Sequence, residues 1–226
     1  MEINADLRKR AIVKTAETDW VPSPAAGVER KMLDRDGDEV ARATSLVRYA
    51  AGSAFDTHAH DLGEEFLVLE GTFSDEHGDY PAGTYVRNPP GTSHSPYSED
   101  GCIIFVKLRQ FEDGDDRQFS IDTNEAEWRP RGLPGLTGLA LHEWGAEIVR
   151  LVRYEPGARI ADDPHPGGEE VFVLEGELRD EFDVYPAGTW LRQPDGSRHA
   201  PYSDTGCLLY VKRGHLPAVE DRSEDI

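Results

Sequence analysis

The chain has 226 residues, with 44 Asp and Glu against 24 Lys and Arg and a formal net charge of -20. That field repels phosphate backbones and anionic bilayers, which excludes nucleic acid and membrane surfaces as partners. The only two cysteines, Cys102 and Cys207, have no Cys-x-x-Cys spacing, which excludes a disulfide framework and a cysteine zinc knuckle.

In chain order, Met1 to Arg10 is charged and lacks the apolar core of a secretory signal. No apolar run approaches the roughly 20 residues of a membrane span, so a cytoplasmic protein is expected. Lys9 to Ala16 reads as a strand that crosses to a partner unit. The chain then says almost everything twice. Val47-Arg48-Tyr49 recurs as Val152-Arg153-Tyr154, and from there to Val106-Lys107 and Val211-Lys212 the halves align without a gap at an offset of 105. Upstream, Trp20-Val21-Pro22 answers Trp128-Arg129-Pro130 at an offset of 108. A repeat of this period marks a tandem duplication. The polar, aperiodic stretch from Glu112 to Thr123 separates the copies, giving expected domains 1–121 and 122–226.

Within a copy, Ser45 to Tyr49, Glu65 to Leu69, Thr84 to Arg87 and Cys102 to Lys107 are short and rich in β-branched or aromatic residues. Between them lie turn residues such as Pro81-Ala82-Gly83, Pro89-Pro90-Gly91 and Asp100-Gly101. No stretch sustains a helical period. The pattern predicts an all-β sandwich or barrel.

Chemistry concentrates between Gly52 and His94. His58 and His60, two apart on an extended segment, point to one side. Glu64 follows the turn at Asp61-Leu62-Gly63, and His94 arrives from another strand. Three imidazoles and a carboxylate suit Zn, Fe, Mn, Co or Ni rather than Ca or Mg. The second copy has Asp163, His165, Glu169 and His199 at the same places. Its two imidazoles and two carboxylates read either as a site shifted towards harder ions or as a metal-free copy kept for packing.

The segments from Gly52 to Gly71 and from Gly83 to His94 resemble the two motifs of the cupin superfamily. His58, His60, Glu64 and His94 fall on its four metal-ligand positions, with Ser98 where the second motif usually carries Asn. Glu64 to Gly83 and Arg87 to Ser98 are similar to the ChrR-type cupin, the zinc-carrying C-terminal module of ChrR anti-sigma factors. Its relatives resemble acetylacetone-cleaving oxygenases. The resemblance implies two tandem jelly-roll cupin barrels. In that family an N-terminal helical domain with a His-x3-Cys-x2-Cys motif grips the sigma factor, and residues 1–46 contain neither cysteine nor histidine.

Other repeated residues have plainer expectations. Glu65 and Glu170 are structural, and Arg87 and Arg192 are ion-pair or backbone partners. Cys102 and Cys207 are buried small hydrophobes. Tyr97 and Tyr202 either line the pocket or cap a strand. His142 and His215, outside the repeated core, are expected at the surface.

Three functions follow. The first is a regulatory or sensory metal module, zinc-loaded, related to anti-sigma factors, with a small-molecule ligand and a sigma-factor or homodimer partner. The second is a non-haem metal-dependent dioxygenase acting on a small dicarbonyl, with Fe, Mn or Ni as alternative ions. The third is a closed structural metal site.

Overall fold

The computed structural model describes residues 1–219. Among them the chain is nearly all strand, with a single 3-10 turn at Thr15–Glu17, and no helix is long and apolar enough to cross a membrane. It divides into two compact units, each built like the other.

In the first unit the main sheet runs Glu2–Ile3, Val28–Asp36, Arg42–Tyr49, Cys102–Leu108, Glu64–Asp75, Thr84–Asn88 and Phe119–Asp122, neighbours antiparallel throughout. A short facing ladder pairs His58–Ala59 with Ser93–His94. The second unit repeats the order with Arg129–Pro130, Leu136–Trp144, Glu147–Tyr154, Cys207–Arg213, Glu169–Arg179, Thr189–Gln193 and Ala11–Lys14. Its short ladder pairs Asp163–Pro164 with Arg198–His199. These are two tandem jelly-roll barrels.

The compact units differ from the continuous spans 1–121 and 122–226. The first comprises residues 1–5 and 18–126, and the second comprises residues 6–17 and 127 onward. The reason is edge pairing. Ala11–Lys14 completes the second unit by lying along Thr189–Gln193, with Ala11 opposite Arg192. Phe119–Asp122, its counterpart in the repeat, completes the first unit with Phe119 opposite Arg87. A sheet edge left bare would present unpaired amides and carbonyls, and each is covered by the strand that the repeat assigns to the other copy. The crossing expected for Lys9 to Ala16 is what the sheet shows.

The long strand Glu64–Asp75 pairs with Cys102–Leu108 as far as Gly71 and then turns to a second partner, Thr72–Asp75 pairing with Gly78–Pro81. The bend falls at Gly71, which has φ +68°, and a Cβ there would collide with the Gly101 carbonyl. Only glycine accommodates both. Gly176 repeats the device at φ +71°.

Each core is a separate apolar cluster. Phe66, Val68, Phe73, Val86, Ile104 and Val106 pack in the first unit, and Val171, Val173, Leu178, Tyr185, Leu191 and Leu209 pack in the second. Cys102 and Cys207 sit inside these clusters as free thiols.

Opposite the barrel interior, Glu65 is buried and accepts from Tyr85 Oη at 2.5 Å and Arg87 Nη1 at 2.6 Å. Arg87 also donates from Nη2 to Asp115 at 2.5 Å, and its guanidinium lies 4.0 Å from the Phe111 ring centroid. In the second unit Arg192 donates to the backbone carbonyls of Asp6 at 3.0 Å and Lys9 at 3.3 Å. Ion-pair partner and backbone partner are both found among these contacts.

Removing the Arg87 guanidinium would take a buried cation from between two buried carboxylates, a loss of about 3–5 kcal/mol. Arg87→Leu is expected to lower the unfolding free energy of the first unit by that amount, read from urea denaturation followed by fluorescence; a loss under about 1 kcal/mol contradicts the ion-pair account.

Candidate metal centres

The short ladder and the long strand together assemble the first site. His58 and His94 are directly opposed in the ladder, His60 follows two residues on, and Glu64 opens the long strand. One ligating atom from each lies within 4.8 Å of all the others. Glu64 Oε1 stands 3.6 Å from His60 Nε2 and 3.5 Å from His94 Nε2. His60, Glu64 and His94 are buried, and His58 is half-buried.

Each imidazole is held by its other nitrogen. His58 Nδ1 lies 3.0 Å from the Asp56 carbonyl, His60 Nδ1 2.9 Å from Thr92 Oγ1, and His94 Nδ1 3.1 Å from Asp75 Oδ2. A carbonyl and a carboxylate can only accept. The Thr92 hydroxyl gives its single proton to the Pro89 carbonyl at 2.7 Å, so it too accepts from the ring. All three rings therefore carry the proton on Nδ1 and turn an Nε2 lone pair towards one point, the arrangement of metal-ligating histidines.

Burial pulls the His94 pKa down, but the hydrogen bond to Asp75 and the charges of Glu64 and Asp75 outweigh it and leave a net rise. Burial lowers His60, against the pull of Glu64. His60 Nε2 is buried with no hydrogen-bond partner. Three converging lone pairs, one of them orphaned, and a carboxylate oxygen fit a divalent transition ion.

The ligands open into a cavity of about 580 Å3 with Val47, Tyr49, Phe55, Ile104, Val106 and Leu108 on its walls and Arg35 among its polar residues. This lies within the size range of small-molecule pockets.

The second unit gathers Asp163, His165, Glu169 and His199 within the same 4.8 Å limit. Its imidazoles are supported as in the first. His165 Nδ1 lies 3.1 Å from Ser197 Oγ, which donates to the Pro194 carbonyl, and His199 Nδ1 lies 2.9 Å from Asp180 Oδ2. Burial acts to raise Asp180, yet hydrogen bonds from His199, the Phe182 amide and Tyr185 hold it at about 2. The new feature is Arg213, which donates from Nε to Glu169 at 2.5 Å, from Nη1 to Asp163 at 2.9 Å, and from Nη2 to both carboxylates. Burial opposes ionisation of Asp163, but the neighbouring His165 and the bonds from Arg213 drive its pKa well below the ordinary carboxylate value.

Several residues at these centres escaped the sequence reading. Asp75 and Asp180, and Thr92 and Ser197, stand behind the histidines. Their signal was present, because each pair recurs at the offset of 105. Arg213 was missed because it departs from the repeat, standing where the first copy has Leu108. Tyr49 and Tyr154 line the two cavities, whereas Tyr97 and Tyr202 line neither: Tyr97 pairs with Ala54, and Tyr202 bridges Arg159 and Arg179. His142 and His215 are corrections: the His142 side chain is buried, and the His215 ring is enclosed beside Glu170 at 3.5 Å. Hydrophobic patterning treats a lone histidine as polar and places it outside, whereas His142 lies on the strand Leu136–Trp144 with its side chain turned inward, and His215, just past the last strand, folds back beside Glu170.

A family model described as "ChrR Cupin-like domain" matches residues 8–112 and again residues 116–217. Among curated proteins none matches the chain significantly. A solved structure described as a "putative dioxygenase" from Nostoc punctiforme PCC 73102 superposes with TM-score 0.77 at 16% identity, over 94% of this chain and 85% of that one. Protein Ylba from E. coli gives 0.73 at 15% identity, over 96% of each chain. An oxalate decarboxylase–formate complex from Lactobacillus farciminis gives 0.65 at 12% identity, over 92% of this chain and 87% of that one. At such identities the likeness is one of fold.

Two outcomes check this geometry. Asp75→Asn removes the charge that holds His94 and is expected to weaken metal binding about 10–100-fold, measured by competition with a chelating dye; unchanged affinity denies Asp75 its positioning role. Burial raises both thiols, Cys207 to about 11. A thiol reagent at pH 8 should therefore label neither cysteine before denaturation, and changing both to Ala should leave metal content unaltered.

Proposed function

Since this chain belongs to the ChrR cupin-like family and carries its domain twice, we propose that it is a metal-dependent double cupin acting on a small, oxygen-rich anion in its first unit. The observation that carries this reading is the cavity. His58, His60 and Glu64 share about 580 Å3 with an apolar wall and with Arg35, so a ligand can reach the point where the lone pairs meet. A structural site has no use for such a space.

His58, His60, Glu64 and His94 would hold the ion. Bound there, a divalent transition ion supplies Lewis acidity and a template for a chelating carbonyl, enolate or carboxylate. The chain's own residues do the rest. Tyr49, Phe55 and Ile104 exclude water from the apolar end of the cavity. Arg35, only 4% exposed, keeps a positive charge at the cavity wall in a protein of net charge -20, which favours an anionic oxygen there. Glu64 serves as a ligand, or as a base when it swings off. Asn88 Nδ2 lies 3.4 Å from its Oε1.

The reaction proposed is dioxygenation of a small dicarbonyl, with iron, manganese or nickel as the ion. It accords with the dioxygenase and oxalate decarboxylase descriptions of the structural neighbours. The second reading is a zinc-loaded sensor that signals to a sigma factor or to a second copy of itself. The anti-sigma connection of the ChrR family favours it, and it uses the same ligands.

The test is elemental analysis of protein purified without added metal, followed by oxygen uptake with acetylacetone and related β-dicarbonyls. About one iron, manganese or nickel per chain and dicarbonyl-dependent oxygen consumption are expected, both lost in His60→Ala and His94→Ala. Full metal retention by these variants refutes the ligand set. Zinc with no oxygen uptake transfers the case to the sensor.

A further inference from the structure

The two units differ at their centres by a set of substitutions that makes sense only when taken together. Where the first has His58, Ser45 and Leu108, the second has Asp163, Arg150 and Arg213. The sheets confirm the equivalence, since Ser45 pairs with Val106 and Arg150 with Val211 at matching places in the two ladders. The first centre therefore offers one carboxylate and three imidazoles, with no fixed positive charge among the ligands. The second offers two carboxylates and two imidazoles, and brings its own cation.

The guanidinium is not a neighbour of the carboxylates but their partner. Arg213 reaches both oxygens of Asp163 and one oxygen of Glu169. Arginine stays protonated under all ordinary conditions, and its planar fork matches this bidentate geometry. With Asp163 held in the fork, an incoming ion is left with His165 Nε2, His199 Nε2 and Glu169 Oε1. The oxygen stands 3.4 and 3.7 Å from the two nitrogens. A divalent ion there would face Arg213 across a single carboxylate group, with Arg131 and Arg150 lining the same cavity of about 340 Å3. Like charges so close oppose its entry. The second set of residues fits a guanidinium and does not fit a divalent ion as well.

We propose that Arg213 is the resident cation of the second unit, standing in for the metal and making that barrel metal-independent. The histidines His165 and His199 then serve packing and hydrogen bonding, and one ion per chain is the full complement. The claim concerns the second unit alone and is read separately from the chemistry assigned to the first.

The experiment is an equilibrium titration of the metal-free, full-length protein with cobalt(II), followed by visible absorption and checked by calorimetry. The wild type should take one tight equivalent, with any second at least about 100-fold weaker. His165→Ala should keep that equivalent, whereas His60→Ala should lose it. Arg213→Leu combined with Asp163→His restores the ligand set of the first unit without leaving a buried acid unpaired. In this variant a second equivalent should appear within about tenfold of the first. Arg213→Leu alone should show the same gain if it stays folded by circular dichroism, and the double variant decides if it does not. Two equivalents of similar affinity in the wild type, loss of an ion in His165→Ala, or a folded double variant with no second equivalent would each overturn the proposal.

Discussion

Two adjacent carboxylates at the start of one strand, Glu64 and Glu65, set the terms for the rest of the first unit. Strand geometry sends them to opposite faces, and both are buried. Neither charge can stay unmatched away from water. Glu65 is answered by Arg87 and Tyr85, and Arg87 in turn requires Asp115. Glu64 faces three imidazoles whose lone pairs point to a common centre. The same strand, bent at Gly71, ends in Asp75, which fixes the third of those rings. One strand thus supplies a ligand, the buried charge behind it and the group that orients its neighbour.

The second unit keeps this frame and changes the way charge is balanced. Glu170 takes the place of Glu65 with Trp190 and His215 beside it, and Arg192 donates to the Asp6 and Lys9 carbonyls in the segment before the exchanged strand. At the centre, a histidine lost at Asp163 is matched by an arginine gained at Arg213. A lone aspartate there would have added a buried negative charge. The paired change keeps the pocket near neutrality without an ion from solution, the usual condition for retaining ionisable groups in a core.

The exchange of edge strands ties the duplication into one product. Ala11–Lys14 and Phe119–Asp122 each finish a sheet made otherwise of the other copy. Because Arg192 donates to Asp6 and Lys9 carbonyls, the early segment is held by side-chain as well as ladder hydrogen bonds.

Much of this was legible in the chain alone. Periodicity and turn residues marked all-β units, the repeat marked two of them, and the spacing from His58 to His94 marked a ligand cluster, because these signals are local or are repeated verbatim. What needed the tertiary structure was anything that depends on partners distant in sequence. The sequence by itself determined the element types, the duplication and the candidate ligands, through strand alternation and glycine at turns. Only the fold decided which strand closes which sheet, that Tyr49 rather than Tyr97 meets the cavity, and that His142 is buried. Arg213 is the clearest case, 50 residues after Asp163 yet bonded to it. Electrostatic pairing acts through space, and no period along the chain records it.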